Sequence, residues 1–152
     1  MVSRRRLKEI IVRVVMGKGP QPARCSVRIM PSQEAITQTV NRYLELLAKG
    51  TADDVLTLYA DDATVEDPFG SDPRHGHDAI REFYAGFQDA KKETELAELR
   101  VAGSAAAFLW HLTLDAGASR TRISPISVME FDQDARITSM RAYWSPSDAR
   151  VV

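Results

Sequence analysis

Apolar and polar positions follow two different rhythms along the chain. Between Ile36 and Phe87 the apolar residues recur at helical spacing, whereas after Lys92 they come in short runs separated by turn-like segments. Ile36, Val40, Tyr43, Leu44 and Leu47 predict the inner face of an amphipathic helix. Ser32, just after Pro31, is suited to cap its start, Glu34 lies in its first turn, and Gly50 ends it. Thr51 is suited to cap a second, shorter helix with Asp53 and Asp54 at its positive end and Val55, Leu58 and Tyr59 on its inner face. Residues 63–66 read as a short strand that stops at Asp67-Pro68. A loop containing Gly70, Pro73 and Gly76 leads to a third helix from about Asp78, with Ile80, Phe83, Tyr84 and Phe87 on one face.

Strands are predicted at about 94–102, 105–114, 120–131 and 136–145. Pro125 inside the third of these implies a bulge or an edge. Helices first and an antiparallel run afterwards define an α+β fold. Three helices against one curved sheet form a cone, whose open end is a pocket for a small apolar molecule.

Charge separates the chain into two parts. Residues 1–29 hold eight basic side chains and one acid, so the rest carries an excess of eight acids beneath an overall charge of −1. The basic head has a short apolar run broken by Arg13, and no small-residue cleavage pattern follows it. The expected organisation is therefore a basic leader over 1–29, outside the fold, and one domain over 30–152, with Met30 a plausible true start. A basic interaction arm and a targeting segment are the alternatives. An acidic body argues against a nucleic-acid partner. No apolar stretch approaches the roughly 20 residues of a membrane span, so no membrane association is expected. The single cysteine, Cys25, and the lack of a convincing signal point to a cytoplasmic protein.

No glycine-rich phosphate loop and no GxSxG are present. His75 and His77 sit close together in a loop without a clear third ligand, and His111 is on a strand face, so neither a metal nor a cofactor is expected. Asp67 is held extended by Pro68 and either starts a turn or points into the cone. Tyr43, Tyr59 and Tyr84, read as lying on three different helices, are either core residues with satisfied hydroxyls or a hydrogen-bonded cluster.

The string YADDATVEDPFG at 59–70 closely resembles the ketosteroid isomerases, of the NTF2-like or SnoaL-like superfamily. So do HG at 75–76, IREFY at 80–84, VMEFD at 128–132 and AYWS at 142–145. The resemblance implies a steroid Δ-isomerase that moves a proton of a 3-oxo-Δ5-steroid from C4 to C6. It implies Asp67 as the base, Tyr43 as an oxyanion donor, Tyr59 and Tyr84 as its supports, and Trp144 as the residue that holds the base. Phe69, Phe108, Met129 and Met140 are the expected pocket walls, a steroid the ligand, and a homodimer the assembly. The scheme itself, with an aspartate base, a tyrosine and a second, protonated aspartic acid in the oxyanion hole, is that of the family. One position departs from it. Where the family has that second aspartic acid this chain has Ser127, expected as a catalytic but weakened oxyanion donor because its hydroxyl is shorter and less acidic. The alternatives are action on another hydrophobic ketone, or steroid binding with weak turnover.

Overall fold

The computed structural model describes residues 29–152. The expected basic leader therefore lies outside the described residues except for its last position.

Helix α1, Gln33–Lys49, begins where the Ser32 side chain accepts from the Ala35 amide, and ends at Gly50, whose N–H returns to the Leu46 carbonyl. Its buried face is Ile36, Val40, Tyr43, Leu44 and Leu47, the face the periodicity predicts. Helix α2, Ala52–Leu56, starts with a reciprocal capping box between Thr51 and Asp54. It is shorter than its inner-face pattern predicts. Tyr59 belongs to no helix and is the first residue of strand β1, Tyr59–Glu66. The strand starts four residues earlier than the reading of 63–66, because Tyr59 pairs with Ile137 far along the chain.

Strand β2, Arg74–His75, pairs antiparallel with the end of β1, and helix α3, Gly76–Ala85, follows at once. His75 and His77 thus lie on a strand and a helix, and the His77 ring bonds the Tyr59 carbonyl at 3.1 Å. Gly76 has a φ of 78°, a left-handed value that suits glycine at this abrupt turn. Phe87 falls just past α3. The chain there is tied down by Lys92, whose ammonium donates to the carbonyls of Phe87, Gln88 and Ala90 at 2.8–3.0 Å.

The remaining strands are β3 Lys91–Ala102, β4 Ala105–Asp115, β5 Arg120–Ile123, β6 Ile126–Phe131, β7 Ile137–Tyr143 and β8 Arg150–Val151. They form one curved, unclosed sheet in the order β2-β1-β7-β6-β4-β5-β8, with β3 on β4. The sheet is mixed, because β1 and β7 run parallel and the other pairs antiparallel. Strands β5 and β6 are two parts of the predicted strand 120–131. The pairs Leu112↔Ile123 and Leu109↔Ile126 keep one register across the break, so Pro125 does not make a bulge. It lacks an N–H, yet its carbonyl still accepts from the Trp110 amide at 3.3 Å. Register shifts interrupt the β3–β4 pairing between Leu96 and Glu98 and the β6–β7 pairing between Glu130 and Phe131. Helix α1 packs across β3, and α3 packs on β1 and α2. The fold is the α+β cone expected from the chain's two rhythms. Among the described residues, no helix is long and apolar enough to cross a membrane.

Candidate active site

Parallel pairing of β1 and β7 sets the site. Two parallel strands end at the same edge of a sheet, and here Glu66 pairs with Arg141 near both ends. Asp67, one residue past β1, and Trp144, one past β7, therefore emerge side by side. The Trp144 indole N–H donates to Asp67 Oδ1 at 2.6 Å. Val65 is fully buried, and alternation turns Asp67 to the same inner side. The Asp67–Pro68 peptide bond is cis.

Asp67 lines a cavity of about 240 Å³, together with Phe83, Phe87, Trp110, Leu112, Leu114, Ile123, Pro125 and Trp144. The carboxylate is the one acid on an otherwise apolar wall. Removal from water raises its pKa above the usual carboxylate range, while the Trp144 hydrogen bond and the charge of Arg74 pull it back. That combination defines a carboxylate of increased basicity that is still able to ionise.

The three tyrosines meet in the core. Tyr84 is the middle of the chain, with its hydroxyl 2.7 Å from that of Tyr59 and 3.2 Å from that of Tyr43. All three are buried. Burial is the largest cause raising each phenol above its ordinary range, so each keeps its hydroxyl proton. Asp67 adds to the rise at Tyr43 and Tyr59, which places both within its electrostatic reach. Trp110 connects the tyrosines to the cavity. It lines the cavity, and its ring stands edge-on to Tyr43 with centroids 6.3 Å apart.

Ser127 is fully buried and its Oγ accepts from the Trp110 indole N–H at 3.0 Å. It pairs with Phe108 on β4 and Ala142 on β7. Glu130 lies on the opposite face, exposed and paired with Arg141 at 2.7 Å, so no neighbouring carboxyl takes the place of Ser127. The expected pocket walls fall elsewhere. Phe108, Met129 and Met140 are buried in the core, and Phe69 is half exposed, stacked on Tyr143 at 4.7 Å. None of the four is among the residues lining the cavity around Asp67. The aromatic walls there are Phe83, Phe87 and Trp110. The first two were visible in the sequence as a helix face; Trp110 carried no signal beyond strand alternation.

Known proteins resemble this chain. The SnoaL-like domain model matches residues 40–140. The steroid Δ-isomerase of Nocardioides simplex is 46% identical over 113 residues, covering 74% of this chain and 92% of that protein. A solved structure of an epoxide hydrolase/cyclase-like enzyme, described for its role in pyran ring formation in the polyether salinomycin, superposes with a TM-score of 0.75. It is 26% identical and covers 81% of this chain and all of the other. The chain belongs to the SnoaL-like family, within the NTF2-like superfamily that the string at 59–70 resembles.

Proposed function

We propose that this protein is a steroid Δ-isomerase, converting 3-oxo-Δ5-steroids to 3-oxo-Δ4-steroids without a cofactor. The observation that carries the reading is a carboxylate, Asp67, held by Trp144 on the wall of an apolar cavity. The likeness to the Nocardioides simplex enzyme supports it.

Asp67 takes the proton from C4, next to the ketone. Electrons shift toward the ketone oxygen and a dienolate forms. Tyr43 donates to that oxygen, Tyr84 donates to Tyr43, and Tyr59 donates to Tyr84, so each hydrogen bond polarises the next. Stabilising charge that exists only after proton removal lowers the barrier. Asp67, now protonated, returns the same proton to C6 and the conjugated enone leaves. The base must release what it took, so a modestly raised basicity serves both halves.

Ser127 contributes indirectly. Its oxygen is engaged by Trp110, and it fixes the ring that lines the cavity and stands edge-on to Tyr43. A second reading, the same proton transfer on a smaller hydrophobic ketone, is favoured by the cavity volume of about 240 Å³, which is below the usual ligand-pocket range of about 300–1,000 Å³. Comparing turnover of a 3-oxo-Δ5-steroid with that of a bicyclic β,γ-unsaturated ketone tests the choice. Faster turnover of the bicyclic compound would favour the second reading.

A further inference from the structure

Arg74 opens β2 and pairs with Val65, which is fully buried. Residues paired directly in an antiparallel ladder share a face, so Arg74 stands on the inner side of the sheet, the side Asp67 faces. An unpaired charge in such a place is costly. Here the guanidinium lies 4.2 Å from the centroid of the Phe83 ring, a cation–π contact with a wall of the cavity. Its Nη1 also approaches the backbone carbonyl of Asp67 at 3.4 Å. Among the described residues, Arg74 makes no contact ion pair with a carboxylate. Its charge reaches Asp67 through space.

That offset matters for a base. A contact ion pair would hold the carboxylate tightly and weaken it as a proton acceptor. With no cation nearby, the apolar wall would raise the carboxyl further, with only the Trp144 hydrogen bond to oppose it. We propose that Arg74 is a positioning residue for the base: clamped between Phe83 and the Asp67 carbonyl, it keeps the Asp67 carboxylate ionised inside the cavity without bonding to it. The inference rests on the reading of Asp67 as the proton acceptor.

The groups around Asp67 are few. Trp144 donates to it from the end of β7. Tyr43 of α1, Tyr59 of β1 and Tyr84 of α3 are neutral phenols. Glu66 accepts from the Gly70 amide, Arg141 of β7 beside it is paired with Glu130, and the His77 ring bonds a carbonyl. His75 of β2 is exposed and pairs with Thr64, on the opposite face from Arg74.

The test is a carbon-13 NMR titration of the Asp67 carboxyl, assigned by its loss in Asp67→Asn, in wild type, Arg74→Met and Arg74→Lys. Arg74→Met is expected to move the Asp67 midpoint up by about one pH unit, and Arg74→Lys to keep it near wild type. An unmoved midpoint in folded Arg74→Met overturns the proposal. If Arg74→Met does not fold, Arg74→Gln carries the same expectation. The titration needs no turnover. Loss of isomerase activity in the wild type would sink the functional reading and leave this measurement intact. The acid limb of kcat/KM should follow the midpoint, whereas an equal loss at every pH would mark Arg74 as purely structural.

Discussion

The Trp110 indole N–H meets the Ser127 hydroxyl at 3.0 Å in the floor of the cone, and both residues are buried. A serine in a sheet core needs a partner, and Trp110 is that partner. Its own N–H is satisfied in return. The hydroxyl keeps one hydrogen to give, but its oxygen is committed to holding a wall of the cavity.

Changing Ser127 should therefore act in two ways. Ser127→Ala strands the Trp110 N–H and is expected to cost about 1–3 kcal/mol in chemical denaturation. Ser127→Asp puts a carboxyl in an apolar place, where it stays protonated. It can accept from Trp110 and donate toward the ketone oxygen, so turnover is expected to rise. An unchanged kcat would mean that position 127 does not serve the oxyanion.

The tyrosine chain should show a gradient. Tyr43→Phe removes the donor nearest the developing charge and is expected to lower kcat by about 10²–10³. Tyr84→Phe, which breaks both of the chain's hydrogen bonds, should cost less, and Tyr59→Phe least. Equal losses at all three positions would contradict a relay that ends at Tyr43.

Asp67 should trade stability for reactivity. Its folded-state pKa is raised by burial, so the folded protein holds this proton at pH values where the unfolded chain has released it. Stability is then lost as pH rises from the ordinary carboxylate value through the raised one. Asp67→Asn is expected to melt higher than wild type at neutral pH, with the gap closing in acid. Equal melting temperatures at pH 7 would argue against a strained base.

Trp144→Phe deletes a hydrogen bond that favours the ionised carboxylate. The acid limb of kcat/KM should move to higher pH, with activity recovering above it. A pH-independent loss would instead assign Trp144 to packing alone.

Much of this was legible in the chain because it depends on local rules. The inner face of α1 follows from spacing alone, and its caps from Ser32 and Gly50. Tyr59 was misplaced because Leu58 and Tyr59 continue the apolar pattern of α2, whereas pairing with Ile137 on β7 draws Tyr59 into a strand. That pairing spans most of the domain and leaves no local trace. The same holds for the cavity. Trp110 and Phe108 alternate with the same parity on β4, yet only Trp110 lines the space around Asp67. The inward position of Arg74 needed the β1–β2 register, which a two-residue strand does not announce.

The central claim is that Asp67 moves a proton between two carbons of a steroid ketone. Its most direct measurement is the ultraviolet absorbance of the conjugated enone as the protein is added to a 3-oxo-Δ5-steroid, beside Asp67→Asn. Wild type should generate the enone catalytically, and the variant should bind a phenolic steroid yet leave the substrate at its buffer rate. No enone above buffer from folded wild type, or full activity in Asp67→Asn, would contradict the account.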